Sequence, residues 1–150
     1  MKRTILMLCL LMLALSSYTQ IQKVYDITKA ENQYIYQDKF VKLFIKDKIF
    51  IQTFPEKDTL KKFIVVPEIT DKSNTISISF TIEDFGGTNA AILKLNNPFN
   101  RQLSYKAKIK NPKTKKYEET NVLAIYPHIF SMEEWPDNIE SIILYDFILK

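Results

Sequence analysis

The chain has a single histidine, His128, in the run Tyr126-Pro127-His128-Ile129-Phe130. A hydrolytic triad needs a nucleophile, a base and an orienting acid, and His128 is the only imidazole that could serve as the base. No Gly-x-Ser-x-Gly elbow is present to raise a serine toward it. The expectation is a partly buried loop histidine. Carboxylates come as neighbours at Glu83-Asp84, Glu118-Glu119 and Glu133-Glu134. Such groups can supply the acid and base of a glycosidase, or oxygen ligands for calcium. Adjacent residues on a strand point to opposite faces, however, so a pair in sequence is not a pair in space. The Asp-x-Asp-x-Asp-Gly spacing of a calcium loop is also missing. These acids read as solvated loop charge.

Trp135, in Glu133-Glu134-Trp135-Pro136, is the only tryptophan. On an exposed loop it would stack on a sugar ring or anchor a partner protein. Turned inward, the same indole would plug the open end of a β core, and that reading is preferred. Trp135 stands as the one named binding candidate. Tyr34-Ile35-Tyr36 and Phe99-Asn100-Arg101 are weaker ones. No catalytic residue, metal-ligand set or cofactor is assigned. Zinc favours clusters of cysteine and histidine, and the chain has one of each, Cys9 and His128. Gly86-Gly87, the only glycines, cannot form a Gly-x-Gly-x-x-Gly turn or a P-loop.

The surroundings of these residues follow from the amino terminus. Lys2 and Arg3 precede an unbroken apolar run from Ile5 to Leu15, and small residues follow it. This is the pattern of an export signal, with cleavage after Ser16 or after Thr19. The run is well short of the roughly 20 residues that cross a bilayer, so no transmembrane anchor is expected in the mature chain. Cys9 lies inside the run behind Leu6-Met7-Leu8. Bulky residues thus occupy the small positions of a lipoprotein signal, and Cys9 reads as a passive apolar residue. The expected organisation is a signal peptide over 1–19, a polar arm over 20–38 and a β domain over 39–150. The compartment would be the periplasm or the extracellular space.

Removing the leader takes away the only cysteine, so the mature protein has no disulfide and must rely on its core. At about 130 residues, a domain buries roughly two-thirds of its unfolded surface, enough to stand alone. The formal charge of +4 falls to +2 without Lys2 and Arg3, and Arg101 is then the only arginine. Arginine is the preferred reader of phosphates and base edges, so nucleic acid is not an expected partner.

Hydropathy alternates with period two through most of the chain. In Thr75-Ile76-Ser77-Ile78-Ser79-Phe80-Thr81-Ile82-Glu83 every even position is apolar, which predicts a strand with one wet face. Leu103 to Lys110 repeats the pattern with lysines on the wet side. Further strands are expected at Lys62–Val66, stopped by Pro67, and at Ala91–Leu95, stopped by Asn96-Asn97-Pro98. Another should run from Tyr117 through Val122 to Tyr126, after a turn at Asn111-Pro112-Lys113-Thr114. Phe40 to Phe54 reads as two strands hinged at Lys46-Asp47-Lys48, and Lys23–Ile27 as a candidate first strand. Ile139–Leu149 is apolar on both parities, which predicts a central strand or one covered on both sides. Ser131-Met132-Glu133-Glu134 is expected to form a helical turn capped by Ser131. Pro136-Asp137-Asn138 then turns the chain. Seven or eight strands without helical periodicity suggest an antiparallel β-sandwich, immunoglobulin-like, with a small β-barrel as the alternative.

Asn97-Pro98, Leu103-Ser104-Tyr105-Lys106-Ala107, Glu134-Trp135-Pro136 and the ending Ile139…Ile142…Leu144…Phe147 resemble small exported bacterial β-sandwich proteins of unknown function. The resemblance covers roughly residues 90–149. It implies an exported sandwich and transfers no activity. The expected function is a non-enzymatic module that binds a protein or an envelope macromolecule. The alternative is a small carbohydrate-active or other hydrolase using acids near Trp135. A third reading, ligand transport inside a barrel, would require an enclosed apolar cavity.

Overall fold

Alternation turns into strand almost wherever the sequence shows it. Strand β5 (Thr75–Asp84) buries Ile76, Ile78 and Phe80 and turns Ser77 and Ser79 to the opposite face. Strand β7 (Leu103–Lys110) buries Leu103, Tyr105 and Ala107. The computed structural model describes residues 35–36, 40–84 and 86–150. Its other strands are β1 (Ile35–Tyr36), β2 (Phe40–Phe44), β3 (Asp47–Glu56) and β4 (Thr59–Val66). They continue with β6 (Asn89–Asn96), β8 (Tyr117–Thr120), β9 (Phe130–Pro136) and β10 (Ser141–Leu149). No helix occurs among the described residues. The export leader, its cleavage after Ser16 or Thr19, Cys9 and a strand at Lys23–Ile27 lie outside them.

Hydrogen bonding joins these strands into one curled antiparallel sheet, a half-barrel. The order is β1-β2-β10-β4-β3-β5-β6-β9, with β7 on the other side of β10 and β8 beyond β7. The expected all-β, antiparallel architecture is what the structure has. Where two separate sheets were expected, hydrogen bonding is continuous. A single pairing, Ile148 with Thr59, links β10 to β4 and so joins the two groups of strands.

Three local expectations need correction. Ser131-Met132-Glu133-Glu134 is strand, not a helical turn. The segment pairs with β6 residue for residue, from Asn96↔Phe130 to Ala90↔Pro136, and so satisfies its backbone while setting Trp135 against the core. The corner at Lys46 joins two strands but is not a hairpin. There the amides of Ile45 and Lys46 donate to the carbonyls of Glu140 (3.3 Å) and Phe80 (2.7 Å). Strand β2 therefore goes to β10, and β3 to β4 and β5.

The third correction concerns the segment after Tyr117, where strand stops at Thr120 and only an isolated bridge, Leu103↔Ile125, follows. Strand β10 is central, as expected, and a bulge accounts for its double apolar parity. Ile142 and Leu144 face the core before the bulge, and Phe147 and Leu149 face it afterwards. At the bulge, Asp146 adopts φ 52° and switches the parity.

Inward residues from all the longer strands make one core. Near its middle the Phe147 ring lies 5.2 Å from Phe63 and 5.8 Å from Tyr105, between centroids. Burying each such side chain contributes roughly 1.5–3 kcal/mol, which is how a core without disulfides holds the sheet.

Candidate functional site

Trp135 is 9% exposed and belongs to the core cluster. Its Nε1 donates to Thr120 Oγ1 at 2.9 Å. The indole thus stitches β9 to β8, and its ring is not offered to solvent. His128 lies on the loop before β9 but is exposed rather than partly buried. Its left-handed backbone (φ 60°) turns the ring outward, where Nε2 lies 2.6 Å from Asn100 Oδ1. Phe99 is buried, and Arg101 is a structural clamp. The guanidinium donates to the Lys57 carbonyl (3.1 Å), to Asp58 Oδ1 (2.7 Å) and to the Leu149 carbonyl. Of Tyr34-Ile35-Tyr36, Ile35 and Tyr36 form β1 and Tyr34 lies outside the described residues.

Five of the six paired carboxylates have their own separate partners. Glu83 accepts from Lys94 Nζ at 2.6 Å. That hydrogen bond, against a smaller opposing effect of desolvation, lowers the Glu83 pKa. Asp84 accepts from the Gly87 amide at 2.6 Å, Glu119 from Tyr145 Oη at 2.9 Å, and Glu133 from the Leu123 amide at 2.8 Å. Glu118 takes Asn111 and Thr114, each at 3.0 Å. No group of three acidic, histidine or cysteine side chains suited to a metal occurs among the described residues.

What the sequence reasoning missed is an apolar apron. Leu123, Tyr126, Ile129, Phe130 and Met132 are between 50 and 74% exposed, all on the loop before β9 and its first half. Phe130 and Met132 occupy the outer parity of β9, opposite Trp135. The backbone beneath them is held in place. Asn97, 1% exposed, donates through Nδ2 to the carbonyls of Arg101 (2.7 Å), Ile125 (2.9 Å) and Tyr126 (3.1 Å). Its Oδ1 accepts from the Phe99 amide at 2.9 Å, and its own amide donates to the Ile129 carbonyl at 2.8 Å. The loop therefore exposes its apolar side chains from a tied backbone. Clustered exposure of this kind marks interaction surfaces. The available signal was the run Ile129-Phe130-Ser131-Met132, whose outward parity stays hidden while the segment is taken for helix.

Phe130 also walls a shallow hollow of about 300 Å3 on the outer face of the sheet. Lys48, Ser77, Ser79, Lys94 and Asn96 provide its polar lining. On the core side, the buried hydroxyls of Tyr105 and Ser131 face each other. Burial drives the Tyr105 phenol pKa far above its ordinary value.

No known protein family, curated protein or solved structure matches the chain.

Proposed function

We propose that this chain is an exported, non-enzymatic β module that docks a partner protein through the apron of Leu123, Tyr126, Ile129, Phe130 and Met132. The observation that carries the reading is the concentration of large exposed apolar side chains on one clasped loop and edge strand. Among the described residues β9 is paired on one side only, with β6, and such a strand also offers backbone groups to an incoming segment. The scaffold is read as sandwich-like: β1, β2, β10, β7 and β8 form one layer and β4, β3, β5, β6 and β9 the other, joined at Ile148↔Thr59. This reading agrees with the resemblance of residues 90–149 to small exported bacterial sandwich proteins. The hydrolase alternative has no observation in its favour, because Trp135 is buried and Glu133 is taken by the Leu123 amide.

The test is affinity capture from a native envelope extract with the wild-type chain, with Phe130→Asp/Met132→Asp, and with Phe44→Asp as the control on a distant strand. The reading expects one stoichiometric protein partner, retained across salt concentrations, kept by Phe44→Asp and weakened about tenfold by the double variant. Equal capture by all three chains, or none by the wild type, overturns it.

A further inference from the structure

Strand register lays out the hollow beside Phe130 as a grid on the outer face. Lys48 is opposite Ser79, and Ser79 is opposite Lys94. One step along, Phe50 is opposite Ser77, the Ser77 amide donates to Asn96 Oδ1, and Asn96 is opposite Phe130. The second row therefore runs aromatic, hydroxyl, amide, aromatic. With strands about 4.8 Å apart, its two rings stand roughly 14 Å from each other. Among the described residues, neither serine hydroxyl has a hydrogen-bond partner, nor has the Asn96 amide nitrogen. Lys94 shares its charge with Glu83 at 2.6 Å. Lys48 faces no carboxylate among the described residues; its Nζ sits 5.9 Å from the centre of the Phe50 ring.

We infer that this hollow binds a short acidic oligosaccharide, with its hydroxyls on Ser77, Ser79 and Asn96, a ring face on Phe130, and a carboxylate on Lys48. Hydroxyl and amide groups pair with sugar hydroxyls, aromatic faces take the apolar face of a sugar ring, and the uncompensated ammonium selects a negatively charged unit. The hollow's surface is largely apolar with a few polar groups at its sides, which suits the apolar face and hydroxyl edge of a sugar ring. A phosphate-rich ligand would want arginine, and Arg101 is clamped elsewhere. This site goes beyond the protein docking proposed above and shares only Phe130 with the apron.

The experiment titrates the isotopically labelled chain, by NMR and calorimetry, with tetrasaccharides of galacturonate, mannuronate and hyaluronan. The neutral galactose tetrasaccharide and inorganic phosphate serve as comparisons. At least one acidic tetrasaccharide should saturate in the millimolar range or tighter, shift the amides of Ser77, Ser79 and Asn96, and bind about tenfold better than the neutral one. Lys48→Glu and Ser79→Trp should each lower that affinity by about tenfold, while Lys108→Glu leaves it unchanged. Unchanged amide spectra elsewhere would show that the variants are folded. Equal binding of neutral and acidic sugars, saturation by phosphate at the same amides, indifference to Lys48→Glu, or no binding by any of the three acids would each overturn the inference. Such failure would leave protein capture through Leu123, Tyr126 and Ile129 standing, because none of those residues is altered.

Discussion

On the outer face of β2, β10, β7 and β8, polar side chains find one another. Lys106 meets Asp146 at 2.9 Å, and Lys110 and Lys115 both reach Glu140 at 3.0 Å. Tyr145 donates to Glu119, and the hydroxyls of Tyr117 and Ser141 lie 2.9 Å apart. Lys42 and Lys108 sit over aromatic rings, 4.9 Å from Phe44 and 5.2 Å from Tyr145. The outer face of β3, β5, β6 and β9 has the same alternation, yet among the described residues it leaves two serine hydroxyls without partners, the Lys48 ammonium without a carboxylate, and Phe130 and Met132 largely exposed. Both faces are built from period-two strands. The difference teaches that a charge-rich face can be chemically complete, whereas a quieter one with few charges can hold the open chemistry.

The largest change should come from the residue that ties the second face to the first. Trp135→Ala empties a core position and should cost about 3–5 kcal/mol in denaturant unfolding. Trp135→Phe keeps most of the packing and should lose only about 1 kcal/mol with the Thr120 hydrogen bond. If the alanine variant unfolds like wild type, β8 and β9 are not stitched as described. Next is Asn97→Ala, which strips three carbonyls of a buried donor and should cost roughly 2–3 kcal/mol. Hydrogen exchange at the Ile125 amide, which donates to the Leu103 carbonyl at 2.8 Å, should then rise, while β10 stays protected.

Phe130→Asp with Met132→Asp sharpens the contrast from the other side. These exposed changes should lower partner capture by about tenfold, equivalent to about 1.4 kcal/mol, with the melting temperature nearly unchanged. On the completed face, Lys110→Ala should alter stability very little and lose even that effect in high salt, since exposed ion pairs are screened.

The smallest effect concerns pH. Hydrogen bonds from Lys110 and then Lys115 lower the Glu140 pKa below its ordinary 4.5. Its contribution to stability is thus present above that value and disappears as pH falls through the lowered folded-state pKa. The wild-type melting temperature should fall slightly on acidification, and Glu140→Gln should flatten that slope. An unchanged slope would mean that the pairs on this face do not contribute.

The strands at Thr75–Asp84 and Leu103–Lys110 were legible because alternation is local: each residue's face depends only on its neighbours. Asn97 was read merely as part of a turn, because three of its partners, Ile125, Tyr126 and Ile129, lie far along the chain. Ser131 to Glu134 was misread because a capping pattern and an edge strand share the same four letters. Only pairing with β6 decides between them.

By itself, then, the amino-acid sequence determined an antiparallel all-β architecture, the positions of most strands and a central last strand, since these follow from side-chain period and turn chemistry. It also favoured an inward Trp135, whereas the tertiary structure alone decided that Phe130 and Met132 face outward and that Asp146 reverses the parity of β10. The tertiary structure also decided which lysines meet carboxylates. Those outcomes depend on register and on contacts between distant segments, and a short window of sequence carries neither.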